Sequence, residues 1–129
     1  MDPERSVVAT SHAPAAVGPY SQAIRAGHLL FVAGQIPLDP ATGVLVEGGI
    51  QAQTRQVLKN VQAVLQAGGS DLGQVVKTTV FMTDLSQFSE MNAVYGEFFS
   101  HLPPARATVE VGALPKAALV EIEAIALCG

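Results

Sequence analysis

A chain of 129 residues suits one domain around one core, and its formal net charge of −4, from eleven acidic and seven basic residues, offers no basic stripe for nucleic acid. Only 14% of its residues are charged and 49% are hydrophobic, whereas soluble domains carry about 25% charge, so part of the surface is expected to be buried against further copies of the chain. No run reaches the roughly 18 apolar residues of a membrane span, and the opening MDPERSVVATSHAP lacks the basic-then-apolar pattern of a secretory signal; a cytoplasmic oligomer with neither nucleic acid nor membrane as partner is expected.

In chain order, residues 5–10 and 20–26 read as extended. HLLFVAG at 28–34 is an apolar strand followed by the turn-rich PLDPATG at 37–43. Over residues 50–67, Ile50, Val57, Leu58, Val61, Val64 and Leu65 recur at helical spacing, and Gly68-Gly69 supplies a left-handed stop. VVKTTVFMT at 75–83 is rich in β-branched residues and apolar on both faces, which predicts a central strand. Asp84 is placed to cap a second helix, with Gln87 completing a capping-box-like pattern, and Phe88, Met91, Tyr95 and Phe98 form a stripe that reads as core packing. Two strands, about 105–111 and 118–127, close the chain on either side of Pro115-Lys116. The order predicts an α+β fold: one mixed sheet with two helices packed on one face and the other face bare for self-association.

Alternation along the two late strands groups Arg106, Thr108 and Glu110 on one face, and Glu121 with Glu123 on one face opposed to Val120, Ile122 and Ala124. Were these strands adjacent, an arginine and a carboxylate would meet on one side of the sheet. A guanidinium grips a small carboxylate through two parallel hydrogen bonds and keeps its charge at any relevant pH. A partly buried glutamate can exchange protons with water. A structural ion pair fits the same spacing, and the pattern does not choose between them. His12, His28 and His101 lie far apart with no metal-ligand spacing. No phosphate loop, dinucleotide fingerprint or nucleophile elbow is present, and Cys128 reads as a small apolar residue near the end of the chain.

PPARATVEVGALPKAALVEIEAIA at 103–126, together with APAAVGPYSQAI at 13–24, FVAGQIPLDPATG at 31–43 and VVKTTVFMTDLSQF at 75–88, resembles the RidA/YjgF family over nearly the whole length. The resemblance implies a chorismate-mutase-like fold and a homotrimer with a central barrel and three intersubunit clefts. It further implies cofactor-free, metal-free hydrolysis of short 2-imino acids to 2-keto acids and ammonia. On that resemblance Arg106 binds the substrate carboxylate and Glu121 activates water, with a backbone carbonyl near Thr108 assisting. Tyr20, Gly34 and Asn92 line the same pocket. Turn packing for Tyr20, a strand-end glycine at Gly34 and a solvated helix face for Asn92 are the plainer readings of those three. The chain departs from the family at Thr108, where relatives often carry cysteine, and at Ala33, where they often carry serine. A non-catalytic protein that senses 2-keto acids through the same pocket is the alternative. The ribonuclease label attached to some relatives sits poorly with the acidic balance.

Overall fold

The computed structural model describes residues 4–129; residues 1–3, part of the stretch read above for a leader, lie outside it. The elements in order are β1 (Arg5–Val8), β2 (Ala23–Ala26), β3 (Leu29–Gln35), α1 (Ile50–Ala67), β4 (Val75–Met82), α2 (Phe88–Phe98), β5 (Ala105–Glu110) and β6 (Val120–Leu127). The six strands form one mixed sheet in the order β1-β2-β3-β6-β4-β5, antiparallel except for the parallel β4–β5 pair. The α+β class therefore stands as read from the sequence, whereas β4, expected to be central, is interior but one strand from the edge, between β6 and β5.

Alternation in β6 is strict. Val120, Ile122, Ala124 and Ala126 are buried, and α1 answers them with Val57, Leu58, Val61, Val64 and Leu65. The helical spacing of those five residues lays one apolar stripe of α1 on β3 and β6. The stop at the end of α1 is the expected one: Gly69 takes φ +81°, a region open to glycine, and the Ser70 amide closes back on the Leu65 carbonyl at 2.9 Å.

Buried polar groups tie loops to this frame. Asn60 of α1 donates to the carbonyls of Ile36 and Leu38 at 3.2 and 3.0 Å, and Gln53 accepts from the Leu119 amide at 2.8 Å. Gln22 holds the chain before β2 by accepting from the Thr10 amide at 2.7 Å and donating to the Pro14 carbonyl at 2.8 Å. Among the described residues, every buried side-chain nitrogen or oxygen has a partner. That pattern is what low-dielectric burial demands.

The start of α2 differs from the capping-box expectation. Asp84 accepts from the Ser86 amide at 2.9 Å and so caps a 3-10 turn, Leu85–Gln87, which runs on into α2; Gln87 makes no side-chain cap. The turn interposes one extra step, so the acid that caps it is too far back to reach α2 itself. Glu110 at the end of β5 accepts from the Leu85 amide at 2.8 Å and fixes the turn to the sheet edge.

Both helices lie on the face that carries the buried residues. The opposite face bears Val7, Leu29, Phe31, Val109 and Leu127, all exposed. No helix among the described residues is long and apolar enough to cross a membrane. Because Leu58 is completely enclosed in the core, Leu58→Ala is expected to lower the unfolding free energy by about 2–5 kcal/mol, measured by urea denaturation at fixed protein concentration.

Candidate functional site

Arg106 lies on β5, the edge strand, opposite Thr78 of β4, and Thr108 lies opposite Val80. Thr78 and Val80 are buried beneath the helices, so Arg106 and Thr108 turn toward the helical side. From there Arg106 reaches α2. Its Nη1 donates to Asn92 Oδ1 at 2.7 Å, and its guanidinium carbon stands 4.6 Å from the centre of the Tyr95 ring and 5.3 Å from that of Phe88. Those distances are within the range of cation–π attraction.

The Tyr95 ring is held in turn. Its hydroxyl shares a 2.7 Å hydrogen bond with Thr78 Oγ1 in the core, and its ring packs 4.7 Å from that of Phe99. Burial pushes the Tyr95 phenol above its ordinary pKa, with the Thr78 hydrogen bond and the Arg106 charge pulling the other way. Among the described residues no carboxylate neutralises Arg106; the ion pair present joins Arg55 to Glu97 between the helices at 2.7 Å. Beside Arg106 opens a cavity of about 390 Å³ lined also by Asn92, Tyr95, Gly96, Phe99, Pro103 and Pro104.

Glu121 sits between buried Val120 and Ile122 and so faces the other side of the sheet, opposite Phe81 of β4. Gly34 lies against it, at the point where the β3–β6 ladder shifts register between Val32 and Gln35. A Cβ added at Gly34 would stand 2.9 Å from Glu121 Cδ, so the space a side chain would take is filled by the carboxyl group. Burial raises the Glu121 pKa above the ordinary carboxylate value, and the negative charge of Glu123 on the same face adds to the rise. Glu123 lines a neighbouring cavity of about 360 Å³ with Lys77, Thr79, Ser21 and Phe31.

The structure thus splits the residues singled out in the sequence. Arg106, Asn92 and Thr108 gather at the helical side of the β5 edge, and Glu121 and Gly34 meet on the bare face. Tyr20 is elsewhere, half-exposed beside a depression lined by Val7, Ser11 and Ala16. The conditional pairing of arginine with glutamate across adjacent strands does not occur, because β4 lies between β5 and β6 and the two side chains leave the sheet in opposite directions. Among the described residues no three His, Cys, Asp or Glu converge as a metal site. Cys128 is buried, and its amide donates to the His28 carbonyl at 2.8 Å.

The family model described as Endoribonuclease L-PSP matches residues 10–128. A solved structure of the Rid-family protein YyfA of Yersinia pestis superposes with a TM-score of 0.93 at 53% identity, covering 95% of this chain and 98% of that one. This chain belongs to the RidA/YjgF family. Within the family it is 55% identical to a RutC family protein of Pyrococcus horikoshii (95% of this chain, 97% of that one). It is 46% identical to the mouse 2-iminobutanoate/2-iminopropanoate deaminase (97% and 93%). The structure of TdcF of Escherichia coli with bound serine superposes with a TM-score of 0.92 at 42% identity, covering 96% and 99%.

For this RidA/YjgF chain, the aromatic stripe of α2 is only partly the core packing read from the sequence. Met91 and Tyr95 are buried, but Phe88 is exposed and, with the face of Tyr95, borders the Arg106 guanidinium. Phe88, Asn92 and Tyr95 recur at intervals of four and three, one face of α2. The asparagine inside that stripe is the sequence signal that marks a polar guest among the rings.

The raised Glu121 pKa has a consequence for stability. A carboxyl group whose folded pKa exceeds its unfolded one stabilises the fold below the unfolded pKa, and that contribution is lost as pH rises through the folded pKa. Two outcomes are expected. Glu123→Gln should bring the Glu121 pKa down toward the ordinary value, read by carboxyl-carbon NMR titration, and Glu121→Gln should leave the protein at least as stable as the parent at neutral pH, read by thermal denaturation.

Proposed function

We propose that this RidA/YjgF protein is a cofactor-independent hydrolase that converts short 2-imino acids, 2-iminobutanoate and 2-iminopropanoate, to 2-keto acids and ammonia. The observation that carries the reading is the Arg106 guanidinium, held in place by an amide and two rings, with no carboxylate among the described residues to neutralise it, beside a cavity. A cation so placed attracts the acid end of a small metabolite. Two relatives point to the same ligand class: the mouse protein is named for these imines, and TdcF was solved with serine, which also carries a carboxylate beside a nitrogen-bearing carbon.

In this reading the site is completed between copies, since one chain holds Arg106 and Glu121 on opposite faces of its sheet. The bare apolar face packs in a homotrimer of chorismate-mutase-like subunits, whose sheets form a central barrel with clefts at their borders. Each cleft pairs Arg106, Asn92 and Thr108 of one copy with Glu121, Gly34 and Tyr20 of the next. Exposed Phe31, Leu29, Val109 and Leu127 supply apolar area for such contacts.

The chemistry then follows from the groups. Arg106 fixes the carboxylate so that the imine carbon faces a water held by Glu121 and a backbone carbonyl near Thr108. With the imine nitrogen protonated, Glu121 takes a proton as the water oxygen bonds to carbon and the C=N π pair moves to nitrogen, giving a carbinolamine. The proton passes to nitrogen, the carbon–nitrogen bond breaks as the hydroxyl gives its proton back to Glu121 and its oxygen forms the carbonyl, and ammonia leaves a 2-keto acid. Positioning and proton transfer suffice for imines that already hydrolyse in water, at roughly 10²–10⁴-fold for the acid–base part. Burial of Glu121 suits this role, because a raised pKa makes the carboxylate a better proton acceptor. RNA is the weaker substrate class, given eleven acidic against seven basic residues.

The test is a coupled assay in which a pyridoxal-phosphate dehydratase releases 2-iminobutanoate and keto-acid formation is followed with and without the protein. Acceleration is expected; saturable binding of 2-oxobutanoate with no acceleration would replace the enzyme by a carboxylate sensor using the same cleft. Arg106→Ala is expected to lose at least about 100-fold in kcat/KM while staying folded. Glu121→Gln should retain 2-oxobutanoate binding in calorimetry and lose turnover, and the acid limb of kcat/KM against pH should lie above the ordinary carboxylate pKa.

A further inference from the structure

Resting on the carboxylate-binding role of Arg106, we infer that Phe88 and Tyr95 are positioning residues for the reaction, an aromatic seat that aims the guanidinium at the substrate. An arginine on an exposed edge strand has several rotatable bonds and no reason to dwell in one pose. Arg106 is constrained on more than one side: the Tyr95 ring at 4.6 Å, the Phe88 ring at 5.3 Å and Asn92 Oδ1 at 2.7 Å.

The seat is itself referenced to the sheet. Tyr95 is bonded through its hydroxyl to Thr78 Oγ1 at 2.7 Å, and Thr78 is the residue directly across from Arg106 in the β4–β5 register. The same pair of strands therefore sets the root of the arginine and the ring that steadies its head. None of the three holding groups carries a net charge. Rings attract the flat face of a guanidinium and leave its edge N–H groups unused, and Asn92 accepts from Nη1. An edge remains for two parallel hydrogen bonds to a carboxylate. A glutamate in the place of Phe88 or Asn92 would hold the arginine as firmly and cancel the charge it needs.

Structural and positioning roles separate by variant. Phe88 is exposed, so Phe88→Leu removes a ring with little change in packing. Tyr95→Leu removes the second ring. Tyr95→Phe keeps the ring but leaves the buried Thr78 hydroxyl without its partner, which lowers thermal stability. For 2-iminobutanoate, Phe88→Leu and Tyr95→Leu are each expected to raise KM about tenfold with kcat within about twofold of the parent. Tyr95→Phe should recover most of the KM lost in Tyr95→Leu despite its lower melting temperature. Ring currents also displace the Arg106 Nε–H proton resonance of the ligand-free protein, and that displacement should shrink in both leucine variants.

Normal parental turnover together with an unchanged KM and an unmoved Arg106 resonance in both leucine variants overturns the inference. Absence of parental turnover, with the resonance displaced as described, instead overturns the deaminase reading while the seat itself stands.

Discussion

A guanidinium keeps its proton at every pH a cell reaches, so where a protein places one without a counter-ion it has built a standing attraction for an anion. Among the described residues Arg106 has no such counter-ion, in a chain whose acidic residues outnumber its basic ones. Its support comes from neutral groups, an asparagine oxygen and two ring faces. Those groups depend on the rest of the fold: α2 presents them because Tyr95 reaches through to Thr78, and Thr78 is where it is because β4 lies inside the sheet, between β6 and the edge strand β5. The Glu110 link to the Leu85 amide fixes the other end of the same helix–strand corner.

The opposite face has its own logic. A period of two sends Val120, Ile122, Ala124 and Ala126 into the core and leaves Glu121 and Glu123 outside it. Glu121 is nonetheless partly screened from water, since Gly34 gives up its side-chain volume and the carboxyl group settles into that space. Desolvation then raises its pKa. A residue that would be ordinary on an open strand has its pKa raised where its neighbour is a glycine.

Much of this was legible from residue order alone. The spacing of Val57, Leu58, Val61, Val64 and Leu65 specified α1 and its buried stripe, and Gly68-Gly69 its end, because both are local matters of period and backbone freedom. The facing of Arg106 with Thr108, and of Glu121 with Glu123, followed from alternation. What alternation cannot state is which face of one strand corresponds to which face of another. That depends on sheet order, and the insertion of β4 between β5 and β6 is a long-range pairing with no local signature. Asp84 is a capping residue, but a single 3-10 turn puts the start of α2 beyond its reach. The stripe of Phe88 and Tyr95 looked like core because aromatic residues at helical spacing usually are. Only the approach of Arg106 from an edge strand gives their faces a second use.

The placement of Arg106 and Glu121 on opposite sides of the sheet also governs what the lone polypeptide is able to do to itself. Were both on one side, a newly folded chain would clasp its own cation with its own anion in an internal embrace. The backbone of β4 and the layer of side chains on it act as an insulating wall between the two. Each is kept from the other, and a single chain cannot close its own cation onto its own anion.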